Sequence, residues 1–331
     1  MIVPAYNSEK TLEKCLNSLY DKSLQDEIEV LIINDGSADS TESIAKTFEN
    51  KHPSYRLISK QNGGHGSTIN TASKVATGRY MKVIDSDDWV VNLSEFVNAL
   101  RGADADVVLT NFFTVDINGN NLREYKMSAI NFNCEYSFQD FWMHKRNVRE
   151  VCNFHGITYR TDFYQSLNLN LSEKISYEDQ EYATIPFANV QTVLPLDLSV
   201  YRYRLGDQNQ SMSNHHQVKN INQLEIVLNK IINSTPSSIN PAAQSYFHYK
   251  KSGIILSYYM AALIKNPNKN NGRALAKKMH KNIRQQDHSL HVSTDKKYLL
   301  CVALSYISIT DKLKINLQKS SLYQRLIRFF H

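Results

Sequence analysis

At 331 residues, 42% hydrophobic and 21% charged, the chain has the balance of an ordinary globular protein and enough length for two domains. Its longest apolar stretches, residues 253–264 and 298–309, are too short to span a bilayer of ~30 Å as helices and read as buried core helices. Cys15, Cys134, Cys152 and Cys301 show no paired or metal-type spacing, which predicts reduced thiols in a cytosolic protein, and no basic-then-apolar opening predicts a secretory signal. The net charge of +6 is uneven: residues 241–331 hold 16 Lys and Arg against three acids, whereas residues 1–240 hold 22 against 29. Such a split suggests an anionic surface or acceptor for the basic part.

In chain order, "MIVPAY" reads as a short strand ending at Pro4, and "SEKTLEKCLNSLY" as a helix with Ser8 as its N-cap. "IEVLIIND" is a second strand, "SADSTESIAKTFENK" a helix, "YRLISK" a third strand and "GSTINTASKVA" a helix. "YMKVID" is a fourth strand and residues 105–113 a fifth. Strands alternating with helices of this length imply βαβ units and an α/β fold with a mostly parallel sheet. Residues 114–215 are irregular and rich in aromatics; from about 216 the pattern is helical, with Ile221, Leu224, Val227, Leu228, Ile231 and Ile232 on one face. Two domains are therefore expected, 1–215 and a basic helical 216–331.

In open α/β sheets, ligands bind beyond the carboxyl ends of the strands. Three polar clusters fall there: "PAYN", "NDGSAD" and "DSDD". In an extended segment Asp85 and Asp87 point together and Ser86 turns aside. Packing Asp85, Asp87 and Asp88 together requires a positive partner. Mn²⁺ or Mg²⁺, arriving with a nucleotide diphosphate, would be one; a solvated acidic turn would leave the same spacing.

The segments "IVPAYNSEKTLEKCLNSL", "EVLIINDGSADST", "NGGHGSTIN" and "GRYMKVIDSDDW" occur in order and at familiar separations. Together, over roughly residues 1–210, they resemble the family 2 glycosyltransferases with a GT-A, Rossmann-like fold. The resemblance implies that Pro4, Ala5 and Tyr6 line the uracil and ribose pocket and that Asp35 accepts from uracil. It further implies that Asn62 lies near the base and phosphates, that Asp85 with Ser86 contacts ribose or metal, and that Asp87 is the principal metal ligand. Tyr6 offers a π-face for a base, and Asp35 an acceptor for an imide N–H. One departure stands out: many members carry an arginine where this chain has Ile69. His65 is a loop residue able to substitute by hydrogen bonding, and Gly63, Gly64 and Gly66 would let the backbone approach the donor.

"SYEDQEY" resembles a helix start, with Ser176 as N-cap. The family carries an "ED" pair about here, which implies Asp179 as the base that deprotonates the acceptor and Glu178 as its support. "YRYRLGDQNQSMS" resembles a segment that closes over the diphosphate; Arg202, Arg204 and Ser211 are candidates, with Arg204 preferred. The "QxxRW" motif of processive synthases is absent, which favours single additions.

These resemblances imply inverting, metal-dependent transfer of one sugar, UDP-hexose in the first instance, to a hydroxyl on a cell-surface glycan or lipid-linked acceptor. The basic helices and the closing "LYQRLIRFFH" suggest peripheral attachment to the inner face of an anionic membrane; packing on the catalytic domain or homo-oligomerisation would use the same surface. No nucleic-acid motif accompanies the charge. A nucleotidyltransferase or a non-catalytic transferase-like partner are the alternatives.

Overall fold

The computed structural model describes residues 1–206, 214–236 and 238–306. Ser211 and the segment 322–331 lie outside the described residues. The chain divides into two compact units. The first contains residues 1–206 and 233–247, and the second 214–232 together with the residues from 248 onward.

The first unit is built on a sheet whose founding strands are β1 (Ile2–Ala5), β2 (Val30–Asn34) and β3 (Tyr55–Ser59). They run parallel, with Ala5 opposite Asn34 and Asn34 opposite Ser59. Every residue of β1 and β2 is buried, as expected of strands covered on both faces. Helices α1 (Leu12–Ser18), α2 (Thr41–Lys51) and α3 (His65–Val75) connect them.

The fourth strand is shorter than its apolar run suggests. β4 covers only Tyr80–Met81, paired antiparallel with β9 (Ile157–Arg160), and Val83 then bridges to Ile2 on β1. The chain changes partners at Lys82, whose buried ammonium donates to the carbonyls of His155 (2.7 Å) and Ile157 (3.2 Å). This brings residues 83–85 alongside β1 and delivers the aspartates to the same edge as "PAYN".

Beyond it come β5 (Trp89–Val90), α4 (Leu93–Arg101), β6 (Val107–Val115), β7 (Asn121–Tyr125), β8 (Tyr136–Ser137) and β10 (Thr192–Arg204). β10 runs parallel to β6, but β5, β7, β8 and β9 are antiparallel additions. The parallel reading therefore holds for the three-stranded sheet of β1, β2 and β3, and the seven-stranded sheet that Val83 bridges to it is mixed. Short connections such as the Asp116–Asn120 turn, with Gly119 at φ +88°, allow only hairpins.

Short helices α5 (Phe138–Met143), α6 (Lys145–Val148), α7 (Thr161–Ser166) and α8 (Asp179–Tyr182) fill the aromatic region. The second unit is helical. α9 (Asn214–Lys219) and α10 (Ile221–Asn233) precede α11 (Pro241–Tyr259), α12 (Lys269–Gln286) and α13 (His288–Tyr306). α10 buries Ile221, Leu224, Val227, Leu228 and Ile231, the face its periodicity predicts. Gly272 lets α12 pack tightly on the preceding turn: a Cβ there would stand 2.0 Å from the Ala262 carbonyl. No described helix is long and apolar enough to cross a membrane.

Candidate active site

The loops after β1 and β2 are clasped together by polar side chains. Asn7, at φ +48°, receives Ala38 N–H on its side-chain oxygen, while its own N–H donates to Ser37 Oγ. Ser8 is not the helix cap expected for α1, which starts at Leu12; its N–H donates to Thr41 Oγ1 and its hydroxyl pairs with Ser86 Oγ at 2.7 Å. Ser86 is thus buried, with its hydroxyl against Ser8. Pro4 and Ala5 end β1 and are buried; Tyr6 follows at 53% exposure, its ring free to meet a ligand.

Asp35 caps β2 and is also buried. Its Oδ1 accepts from Lys60 Nζ (2.8 Å) and Gly63 N–H (2.9 Å), and its Oδ2 from Gly64 N–H (2.8 Å). The carboxylate thus fastens the glycine loop, and a base N–H would have to share Oδ2. Asn62 is exposed on that loop.

The glycines serve a different neighbour from the one expected. A Cβ on Gly66 would lie 2.2 Å from the Ser172 carbonyl and one on Gly64 2.8 Å from Lys174 N. They admit residues 171–178, which are then tied down by Lys174 N–H to the Gly63 carbonyl and by the Asn70 amide on both Leu171 N–H and C=O. Ile69 is wholly buried in α3, and the cation paired with Asp35 is Lys60.

That interlock sets His65 between two acids. Its Nδ1 lies 2.6 Å from Glu178 Oε1 and its Nε2 2.9 Å from Asp85 Oδ1. Burial pulls the imidazole pKa down, but Asp85 and Glu178 outweigh burial and hold it well above its ordinary value. The imidazolium in turn keeps Asp85 ionised against its own desolvation. Glu178 is buried, with Oε2 unpartnered, whereas Asp179 is half-buried and reached by the Gln180 amide. Ser176 is not the cap of α8, which begins at Asp179 with Glu178 in the capping position.

Asp88 has a structural task. Its oxygens accept from the Tyr201 hydroxyl and Arg204 N–H, both at 2.7 Å, and burial followed by Asp87 and Asp85 raises its pKa well above the usual carboxylate range. This stitches β10 to the acidic loop. The two arginines of β10 separate: Arg202 stacks on Phe113 and bonds Asn121, while Arg204 donates to the Asp87 carbonyl and lies 3.5 Å from its carboxylate. The tyrosines share the other side, where Tyr203 stacks on His155 at 4.1 Å. Burial, then Asp88, Asp85, Asp179 and Asp87, raises the Tyr203 pKa, so both acidic groups act on one phenol.

A family model described as glycosyl transferase family 2 matches residues 1–168. The chain belongs to glycosyltransferase family 2. Among curated relatives it is 28% identical to the glycosyltransferase EpsJ of Bacillus subtilis over 62% of the chain and 60% of that protein. It is 24% identical to GlyA of Streptococcus pneumoniae over 62% of the chain and 30% of GlyA. The chain thus spans well under two thirds of these relatives' lengths. Its fold is GT-A: TarS residues 1–349 from S. aureus superpose with a TM-score of 0.62 at 19% identity, covering 94% of this chain and 93% of that 1–349 chain. The mannosyltransferase PcManGT of Pyrobaculum calidifontis, solved with GDP-Man and Mn²⁺, gives 0.52 at 18% identity, covering 92% of the chain and 85% of PcManGT.

Sequence reasoning passed over Lys82, His155, Tyr201 and Tyr203. For Lys82 the signal was available: a lysine inside an apolar strand run needs a buried partner. The others become visible only when β10 is placed beside the acids.

Proposed function

We propose that the first unit transfers one sugar from a nucleotide diphosphate sugar, UDP-linked, to a hydroxyl acceptor, with inversion at the anomeric carbon. The observation that carries this reading is the His65 bridge, which holds a carboxylate of the 85–88 loop and one of the 178–179 pair at a single side chain. An inverting displacement needs a leaving-group side and a base side at just such close quarters.

Asp85 and Asp87 are partly exposed and offer hard oxygen donors, which suit Mg²⁺ or Mn²⁺. His155, whose ring nitrogen lies within 4.8 Å of Asp85 and Asp88 oxygens, adds a borderline ligand suited to Mn²⁺. Such a cation supplies neutralisation of charge on the departing diphosphate. Arg204 adds a fixed positive group on the same side. Tyr6, at the end of β1, is the platform for the base. Asp179, the more accessible acid, takes the acceptor proton as the new C–O bond forms, and Glu178, locked by His65, sets the backbone that presents it. The same reading puts the acceptor in cell-surface glycan synthesis and the protein at the inner face of the cell membrane.

Incubation with a panel of nucleotide sugars and Mn²⁺ tests this directly. Release of UDP from one donor, dependent on metal and abolished in Asp87→Asn, is expected. Nucleotide sugars left intact by wild type across the panel, while the protein still binds UDP, would favour a non-catalytic partner. Vesicle co-sedimentation tests the location: binding should need anionic lipid and weaken with salt.

A further inference from the structure

We propose that His280, His291 and Asp295 form a metal site of the Zn²⁺ class between α12 and α13. His291 and Asp295 stand four residues apart on α13 and so share a face, and His280 comes from α12. His280 Nε2 and Asp295 Oδ1 are 3.2 Å apart, and one donor atom from each of the three residues falls within 4.8 Å of the others. Ligands at about 2.0–2.1 Å from a tetrahedral ion stand roughly 3.3 Å from one another. One edge of the coordination polyhedron is therefore already formed.

Two further observations point to a cation. His291 Nδ1 is buried and has no hydrogen-bond partner. A buried imidazole nitrogen without a partner is costly, and coordination would satisfy it. His280, in contrast, is oriented from behind: its Nδ1 lies 2.9 Å from the Tyr259 hydroxyl and its ring stacks on Tyr298 at 3.9 Å and 9°. A bond on the remote nitrogen is what fixes the tautomer and angle of a metal-binding histidine. Asp295 is 43% exposed and gives the ion a route from solvent.

Two imidazoles and one carboxylate select a borderline ion over Mg²⁺ or Ca²⁺ and leave a fourth position for water. The site lies within the helical unit and is independent of the proposed sugar transfer. Its effect would be to staple α12 to α13 across Asp287.

The full chain, stripped with chelator and titrated with Co²⁺, tests the proposal. Wild type should develop visible d–d bands of tetrahedral intensity, and Zn²⁺ in large excess over its Kd should raise Tm by ~5 °C. Both effects should vanish in Asp295→Asn and His291→Gln and persist in Asp87→Asn. Asp295→Asn is nearly isosteric and half-exposed, so it keeps the test sound should His291→Gln fold poorly. Absence of bands in wild type would overturn the site. So would bands that survive Asp295→Asn, or that disappear in Asp87→Asn, since these would assign the cobalt elsewhere.

Discussion

The acids at 85–88 and those at 178–179 meet at His65, yet they are held there by opposite means. Asp85, Asp87 and Asp88 follow a strand and inherit their position from the sheet: Val83 is bridged to Ile2, and β10 is stitched on through Asp88. Glu178 and Asp179 follow a loop with two non-glycine residues at positive φ, Lys174 at +58° and Tyr177 at +73°. Such backbone is strained and persists only where its surroundings over-determine it. Here they do so through Glu181, which is fully buried and accepts from Ser172 N–H and Oγ, and through the Asn70 and Gly66 contacts. The 85–88 acids are thus held by the sheet, as far as Tyr201 113 positions away, and the 178–179 acids by a strained loop pinned to Asn70 101 positions away.

Mutation can separate the two sides. Asp87→Asn should have the largest effect, lowering turnover by about 10³-fold or more and weakening UDP binding in Mn²⁺, because charge on the leaving diphosphate is then poorly neutralised. Undiminished turnover, measured by UDP release, would remove Asp87 from the donor side. Asp179→Asn should lower kcat by about 10²–10³-fold while donor KM stays within a few-fold, the pattern of an interaction made only in the transition state. Should Glu178→Gln prove the inactive variant and Asp179→Asn active, the two roles are exchanged.

Between them stands the bridge. His65→Ala should reduce kcat by about 10–100-fold, the usual cost of removing an orienting partner, with His65→Gln recovering part of the loss. Wild-type kinetics in His65→Ala would mean that the two acidic groups need no common anchor. Lys82, beneath the donor side, gives a smaller effect on stability alone. Burial lowers its pKa to about 7, whereas the unfolded chain keeps that proton up to its ordinary 10.5. The unfolded state therefore binds more protons between those values, and this residue's contribution to stability rises with pH across that window, by roughly 1.4 kcal/mol per pH unit. Denaturant melts at pH 7, 8 and 9 should show wild type gaining on Lys82→Met by that slope; parallel curves would show that Lys82 stays charged when folded.

This contrast also explains what could be read in advance. Buried strands such as "VLIIN" and the run into Asp85 carry their own signal in apolar composition and length. Periodicity exposed α10 just as directly. The bond that Ser8 makes away from α1, the burial of Ser86 and the short β4 could not be read, because each is decided by a partner from another segment: Thr41, Ser8 and β9. His65 read only as a loop residue able to hydrogen-bond, because its partners, Asp85 and Glu178, are 20 and 113 positions away. The glycines of "NGGHG" announced a close approach, but the sequence does not say to what.

The absence of room at Gly66 bears on how the loop that leads to Glu178 and Asp179 could be exchanged. A loop spanning 171–178 cannot be grafted from a relative as an independent cassette, because even a methyl group at position 66 would collide with the Ser172 carbonyl at 2.2 Å. The smallest transplantable piece is the loop together with the opening turn of α3, including Gly64, His65, Gly66 and Asn70. Chimaeras cut at those two junctions should retain their melting temperature where loop-only grafts lose it.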